Sequence, residues 1–504
     1  MGRVIIKQGI YSSLAVYTGI ALGYIIYLYL FPLLLSKEQI GLIQIIEEAS
    51  MIFYVLAAGG IPATIVRFAP FFRKNENRNE QGLLFYTLTL PVLGILVVSL
   101  LFYFAYPTIL RWYARAPELQ QYLYCIPLVG IGMTYFYTLY AYLTTHLQVI
   151  APTLAQEFLR RIFIILLIVG WSIGWWQMKG LLHGWILMYY LMAFSLVIYT
   201  MYVGYWDVRF QKPDFSKEFI QKIGKFAAYM ALGGLGSILI PKIDTLMVGS
   251  LKGLGDTGIY AIAAKMAMVV DVPRATLSKI VNPLVAQAFQ KDDMDEIEKL
   301  YQKSALNQLL IGSFIFILIW VNLHFIFHIM PNGANFALGG SVVFYLGMAK
   351  IIDNATGVNY EILLNSKHYR FSLLLMVLMA AFTIVSNWFL IQYWGFSGAA
   401  MATLITFALF NLIRLIFIWR KMNLHPFSKA FFQAVGLVLV TFLLGFLLKN
   451  FVIPAQSFSI TLLQMAFCSI VVAAFYVGIL FKTHISPDIN DIIERVFYRV
   501  FPKK

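Results

Sequence analysis

With 61% of its 504 residues apolar and only 12% charged, this chain carries about half the roughly 25% charge usual for soluble domains, so a water-soluble fold is excluded and a bilayer must be its solvent. Apolar segments recur as far as residue 481 with no soluble stretch longer than a loop, which gives a single membrane domain. The net charge of +15 is spread along loops, carries no nucleic-acid motif, and fits contact with anionic headgroups better than nucleic-acid binding.

A spanning helix needs about 20 apolar residues at about 1.5 Å each. Fourteen segments meet that need, at 9–34, 41–66, 82–107, 119–145, 154–176, 181–205, 222–250, 257–285, 304–330, 336–364, 370–392, 396–419, 429–448 and 457–481. The expected fold class is therefore all-α and polytopic. Arg3 and Lys7 precede the first apolar run in the manner of a signal peptide, but the run reaches Leu35 without a small-residue cleavage site and reads as the first span. Cys125 and Cys468 both lie inside apolar runs, where a small hydrophobic role is expected and no redox compartment can be read.

Lys and Arg beside spans are retained on the cytoplasmic side. With the N-terminus inside, 27 of the 38 basic residues fall at cytoplasmic ends, among them Arg73, Lys74, Arg78, Arg160, Arg161, Lys212, Arg414, Lys503 and Lys504. Six fall in the opposite loops: Lys37, Arg111, Arg115, Lys179, Lys252 and Lys449. Both termini are therefore expected in the cytoplasm. In the tail, 485–504, Ile489, Ile492, Ile493, Val496, Phe497 and Val500 alternate with charged residues at a helical period, which predicts an amphipathic helix on the inner leaflet. The acidic run Asp292, Asp293, Asp295, Glu296, Glu298, with lysines around it, reads as a solvated linker helix.

Small residues open three spans: Gly41 the second, Gly255 and Gly258 the eighth, Gly395 and Gly398 the twelfth. Such positions let a helix start pack closely on a neighbour, and they hint at an internal repeat.

Five basic residues remain for helix interiors: Lys242, Lys265, Arg274, Lys279 and Lys350. Glu47, Glu48, Asp244, Asp271, Asp353 and Glu361 accompany them. An ionisable side chain at mid-bilayer costs at least about 2.5–3.5 kcal/mol, so those that persist face a partner or a wet cavity. In the eighth span Asp271, Arg274 and Ser278 share one region of the helix surface and Lys265 with Lys279 another, so about half its circumference is expected to avoid lipid. Pro273 removes a backbone hydrogen bond and should bend the helix there. Asp271–Arg274 and Lys350–Asp353 are each one turn apart and read as local ion pairs or as substrate groups, whereas Lys265 and Lys279 have no acid at helical spacing. Lys242 lies near a span end and has room to snorkel. Glu47 and Glu48 fit a proton or sodium site, or a pairing with the eighth-span cations.

Enzyme signatures are poor. His324 and His328 have the spacing of a metal pair but no general-base Glu between them, so no metal site is expected. No Gly-rich phosphate loop appears, which argues against direct ATP drive.

Three segments carry a family resemblance: Ile243-Asp244-Thr245-Leu246-Met247-Val248-Gly249, Gly258-Ile259-Tyr260-Ala261-Ile262-Ala263, and Tyr393-Trp394-Gly395-Phe396-Ser397-Gly398-Ala399-Ala400. With fourteen spans and inside termini, the chain resembles polysaccharide and lipid-linked oligosaccharide flippases of the Wzx type, in the multidrug/oligosaccharidyl-lipid/polysaccharide exporter superfamily. The resemblance implies a six-helix bundle over 1–205, a cytoplasmic linker over 206–221, a second bundle over 222–420 and two extra spans over 421–484, ahead of the 485–504 tail. It further implies a multi-pass protein of the inner (cytoplasmic) membrane that flips undecaprenyl-pyrophosphate oligosaccharide by alternating access for cell-surface polysaccharide, such as the O-antigen of lipopolysaccharide. No cofactor is implied beyond coupling to sodium ion, proton or membrane potential. Expected partners are membrane lipids, the lipid-linked oligosaccharide, a polysaccharide polymerase and glycosyltransferases. On this reading Lys265, Arg274, Lys279, Lys242 and Lys350 hold substrate, while Glu47, Glu48, Asp244, Asp271 and Asp353 pair or couple ions. A cation-coupled multidrug exporter needs cavity acids more than bases, and a membrane polymerase or ligase needs a larger outer loop than the roughly twelve residues between spans three and four. Both rank below a flippase.

Overall fold

The computed structural model describes residues 15–16, 18–72, 82–211, 215–454 and 457–500. Of the basic collar, Arg3, Lys7, Arg73, Lys74, Arg78, Lys212, Lys503 and Lys504 lie outside that set, as do the side chains of Ile492, Val496, Phe497 and Val500 in the tail.

Every regular element among the described residues is helical, as lipid requires of an open chain whose backbone polar groups must pair within each segment. In chain order they are α1 (Thr18–Leu34), α2 (Lys37–Ala58), α3 (Ile61–Phe72), α4 (Leu83–Trp112), α5 (Cys125–Thr145), α6 (150–172, with a π-turn at Ala155–Leu159) and α7 (Met178–Tyr202). There follow α8 (Lys217–Lys252), α9 (Leu254–Met268), α10 (Val272–Gln290), α11 (Met294–Ile329), α12 (Gly340–Ala355) and α13 (Asn359–Asn365). The last are α14 (Tyr369–Met422), α15 (Lys429–Phe451), α16 (Phe458–Thr483) and α17 (Pro487–Val500).

Among the described residues, eight helices are long and apolar enough to cross a membrane by length and composition, counting α2 with α3 as one. One of the eight, α14, is 54 residues long and breaks at Gly395 (φ 58°, ψ −143°), so it makes two crossings, the expected spans 370–392 and 396–419. The remaining expected spans fall on α1, α6, α8, α9 with α10, and α12 with α13, where charges or breaks interrupt the apolar run.

The helix ends are written locally. Ser36 accepts from the backbone N–H of Gln39 at 3.3 Å while Gln39 Oε1 accepts from the N–H of Ser36 at 2.9 Å, a capping box that starts α2. Ser216, Asp293 and Ser428 cap α8, α11 and α15 in the same sense. Asp293 thereby corrects the linker-helix reading of the acidic run: Asp292 forms a left-handed turn (φ 53°), and the rest is the cap and first turn of α11, where carboxylates complement the helix dipole. In the loop after α7, Arg209 hydrogen-bonds Asp207 at 2.8 and 2.9 Å and holds its carboxyl below the usual range.

The chain forms two compact units, Met1–Gly258 and Ile259–Lys504. In the first, α2 packs along α5, and Ser50 Oγ donates to the Ile126 carbonyl at 3.0 Å between them. Trp185, Tyr142 and Tyr189 are fully buried there. Gly41 and Gly258 show why the span openings are small: a Cβ on Gly41 would lie 2.0 Å from the Leu254 carbonyl oxygen, and one on Gly258 would lie 2.0 Å from that of Lys37. The two openings pack against each other. In the second unit, Phe316, Ile317, Val321 and Phe325 of α11 pack with Cys468 and Val472 of α16. Both cysteines are free and buried, as their apolar context predicts. The tail helix α17 is tied to the start of α11, where Asp488 accepts from Asn307 at 3.1 Å and meets Lys303 at 3.6 Å.

Candidate functional site

Among the described residues each unit holds a cluster of buried and partly buried charges. In the first, Lys242 Nζ of α8 lies 2.6 Å from Glu48 Oε2 of α2, and Gln44 Nε2, one turn earlier, donates to the other carboxylate oxygen at 2.6 Å. Lys242 is thus an ion-pair partner, which corrects the snorkelling alternative. Glu47, next along α2, accepts from Arg160 Nη1 at 3.3 Å and from the Tyr189 hydroxyl at 3.3 Å. Glu47 and Glu48 therefore find their cations on α6 and α8, a correction to their pairing with the eighth span. Asp244 is buried, 3% exposed.

Arg160 and Arg161 lie where α6 passes through its π-turn, an irregularity that re-aims side chains at functional positions. Arg161 closes an ion pair of 2.6 Å with Glu157 one turn back. Taken singly among the basic residues at span ends, these two arginines carry no mark in the sequence that separates them from the collar, and Glu157 is a third charge beside them. The available signal was the triplet Glu157, Arg160, Arg161 at i, i+3 and i+4 in a segment otherwise apolar enough to span.

The second unit's cluster is built where the eighth span breaks. A 3-10 turn at Val269–Asp271 ends α9 and Pro273 opens α10, so the bend expected at Pro273 is a full interruption. Arg274 Nε sits 2.7 Å from Asp271 Oδ1 and 3.2 Å from Asp353 Oδ2 of α12. Lys350 Nζ is 3.6 Å from Asp271 Oδ2 and 4.9 Å from the centre of the Phe407 ring. The local pair expected between Lys350 and Asp353 is therefore replaced by a crossed arrangement: Asp271 takes Lys350 and shares Arg274 with Asp353. Asp353 Oδ1 also accepts from Asn411 at 3.1 Å, and Asn411 Oδ1 accepts from Asn359 at 2.8 Å and Thr356 at 3.1 Å. A carboxylate held this way is fixed from two sides.

Arg414 and Glu361 border this network. Arg414 is 8% exposed with its guanidinium 5.7 Å from the Tyr360 ring, and Glu361 is 7% exposed. Arg414, counted among the basic residues at span ends, points inward there, which its position in the sequence does not reveal. Lys265 is partly buried on α9 and Lys279 is exposed on α10. Among the described residues no group of three His, Cys, Asp or Glu side chains is arranged to hold a metal ion. In both clusters each cation lies within 4 Å of a carboxylate, and removing one partner of such a pair leaves the other charge uncompensated.

An all-helical polytopic chain with ion-pair clusters set inside each of two units has the build of a membrane transporter. A family model described as polysaccharide biosynthesis protein matches residues 5–289, more than half the chain, and this chain belongs to that family. A second model, MatE, matches residues 230–389. An uncharacterized membrane protein of Methanocaldococcus jannaschii is 20% identical over 484 residues, covering 92% of this chain and 93% of its own length. Among solved structures, the lipid II flippase MurJ in an inward closed conformation is similar at a TM-score of 0.69 and 16% identity, with 95% of this chain and 100% of that one covered. An inward-facing multidrug resistance MATE family transporter is similar at a TM-score of 0.63 and 14% identity, covering 81% and 94%. At those identities the structures speak for the fold.

Proposed function

We propose that this protein flips a lipid-linked oligosaccharide, carried on undecaprenyl pyrophosphate, from the inner to the outer leaflet by alternating access. It acts as a transporter and performs no covalent chemistry. The observation that carries the reading is Arg274, a partly buried guanidinium shared by Asp271 and Asp353. A pyrophosphate is a stronger, bidentate acceptor for a guanidinium than a carboxylate and displaces one of the two. Lys350 is then released from Asp271 by the same rearrangement, and Lys265 and Lys279 of the same unit add to the attraction. Membership of a polysaccharide biosynthesis family supports a sugar cargo.

Driving force comes from an ion gradient or the membrane potential. A proton or sodium ion on Asp271 or Asp353 neutralises the carboxylate, and Glu47, Glu48 and Asp244 offer the first unit the same option. The bias of Lys and Arg toward one set of loop ends supports a reading with both termini in the cytoplasm of an inner membrane, where a polymerase and glycosyltransferases would handle the same carrier.

The test neutralises the cations: Lys265→Ala with Arg274→Ala in a strain lacking the wild-type copy. Cell-surface polysaccharide is expected to fall to the deletion level while membrane abundance of the variant holds; unchanged export sinks the cationic-site reading. The MatE match over residues 230–389 favours a second reading, a cation-coupled multidrug exporter. Drug hypersensitivity of the deletion strain with normal surface polysaccharide would select it.

A further inference from the structure

The pair His324 and His328, set aside as a metal site, lines a pocket of about 630 Å³ in the second unit, at the end of α11 where the chain turns toward α12. Trp320 and Lys449 line it as well, and no acidic side chain does. Lys449, at the end of α15, does not extend outward like an ordinary interfacial lysine. Its Nζ lies 3.5 Å from the centre of the Trp320 ring. No carboxylate pairs with it among the described residues.

The hydrogen-bond inventory is one-sided. His324 Nε2 is 2.9 Å from the Val452 carbonyl, so that nitrogen carries the proton and donates. Its other nitrogen, Nδ1, is then an acceptor, whereas the indole Nε1–H of Trp320 is a buried donor with no partner. A buried donor left unmade is costly, and natural proteins keep one where a ligand supplies the acceptor. Lys449 and Trp320, the one a cation and the other with an unmet indole N–H, line one space whose lining includes no acidic side chain.

We propose that this pocket binds a phosphate group presented at the membrane surface, with Lys449 supplying the charge, the Trp320 indole N–H supplying a directed hydrogen bond, and the Trp320 ring packing on the adjoining glycerol or acyl carbons. An indole with one wet end is suited to this depth. The proposed orientation puts the pocket on the outer face. The inference concerns a second, lipid-regulating site and does not depend on which cargo the protein carries.

The test uses the full-length protein in detergent, titrated with dioleoyl phosphatidylglycerol, dioleoyl phosphatidylcholine or inorganic phosphate and read by native mass spectrometry. One phosphatidylglycerol is expected to bind in preference to phosphatidylcholine, and Lys449→Met with His324→Gln should weaken it by about 10-fold or more. Lys449→Arg, which keeps the charge, should retain binding and shows that loss in the first variant is not misfolding. Trp320→Phe, which keeps a ring and removes the N–H, should give a smaller loss. Saturation by inorganic phosphate with the same dependence on Lys449 would assign the site to the free ion's phosphate chemistry and still support it. Equal binding of both lipids and of phosphate by wild type and by the Lys449→Met, His324→Gln variant overturns the proposal, whatever the polysaccharide assay shows.

Discussion

Lys242 on α8 and Glu48 on α2 meet at 2.6 Å in an ion pair that includes Gln44, and Glu48 is 5% exposed. Removing one partner leaves an uncompensated charge with little water to take it, at a cost of about 3–5 kcal/mol, while removing both leaves none. Glu48→Gln and Lys242→Met should therefore each lower the melting temperature of the solubilised protein, and the double variant should recover most of the loss. Additive losses in that cycle would show that the two side chains act independently.

In the second unit Asp271 serves two cations and Asp353 serves Arg274 and Asn411. Asp271→Asn should be the more damaging for transport, because it weakens the hold on both Arg274 and Lys350, each charge-assisted contact being about 1.5–3 kcal/mol. Asp353→Asn leaves Arg274 with Asp271 and keeps an acceptor for Asn411. Export of surface polysaccharide by the two variants at matched abundance measures this, and equal defects would remove the distinction.

The spans were legible because the bilayer fixes their length and composition. Buried charges at Lys242, Arg274 and Lys350 also stood out, since nothing else explains a cation in an apolar run. Their partners did not, for a physical reason: Glu47 and Arg160 are 113 residues apart, and only helix packing brings them together. Where a partner lay within one turn, local spacing was misleading. Lys350 and Asp353 satisfy the i, i+3 rule, yet each turns to the eighth span, where Arg274 and Asp271 offer more contacts. Arg160, Arg161 and Arg414 were lost to the orientation count because a basic residue near a span end reads the same whether it points to water or inward.

The crossing of Gly41 and Gly258 has no room for a side chain. Gly41→Ala would bring Cβ to 2.0 Å from a backbone carbonyl oxygen, so the helices must separate and the close packing of small residues is lost. A marked drop in folded, monodisperse protein is expected. Gly436→Ala is the control: nothing lies within 4 Å of its Cβ position on α15, and the change should be neutral or stabilise by about 0.4–1 kcal/mol. If both variants behave alike, the crossing carries no packing constraint.

The proposed orientation makes opposite demands on two exposed lysines, Lys179 at the start of α7 and Lys299 near the start of α11. Basic residues concentrate on one side because the translocation machinery and the membrane potential resist their export, so the side richer in Lys and Arg is cytoplasmic. Lys299 belongs to that side and Lys179 to the other. Cys125 and Cys468 are buried and free, so they should react slowly and a new thiol can be followed against them. Lys179→Cys should take a membrane-impermeant maleimide in intact cells, whereas Lys299→Cys should take it only after permeabilisation. The reverse pattern would invert the protein, put the Lys449 pocket on the cytoplasmic face, and turn the direction of flipping into an open measurement.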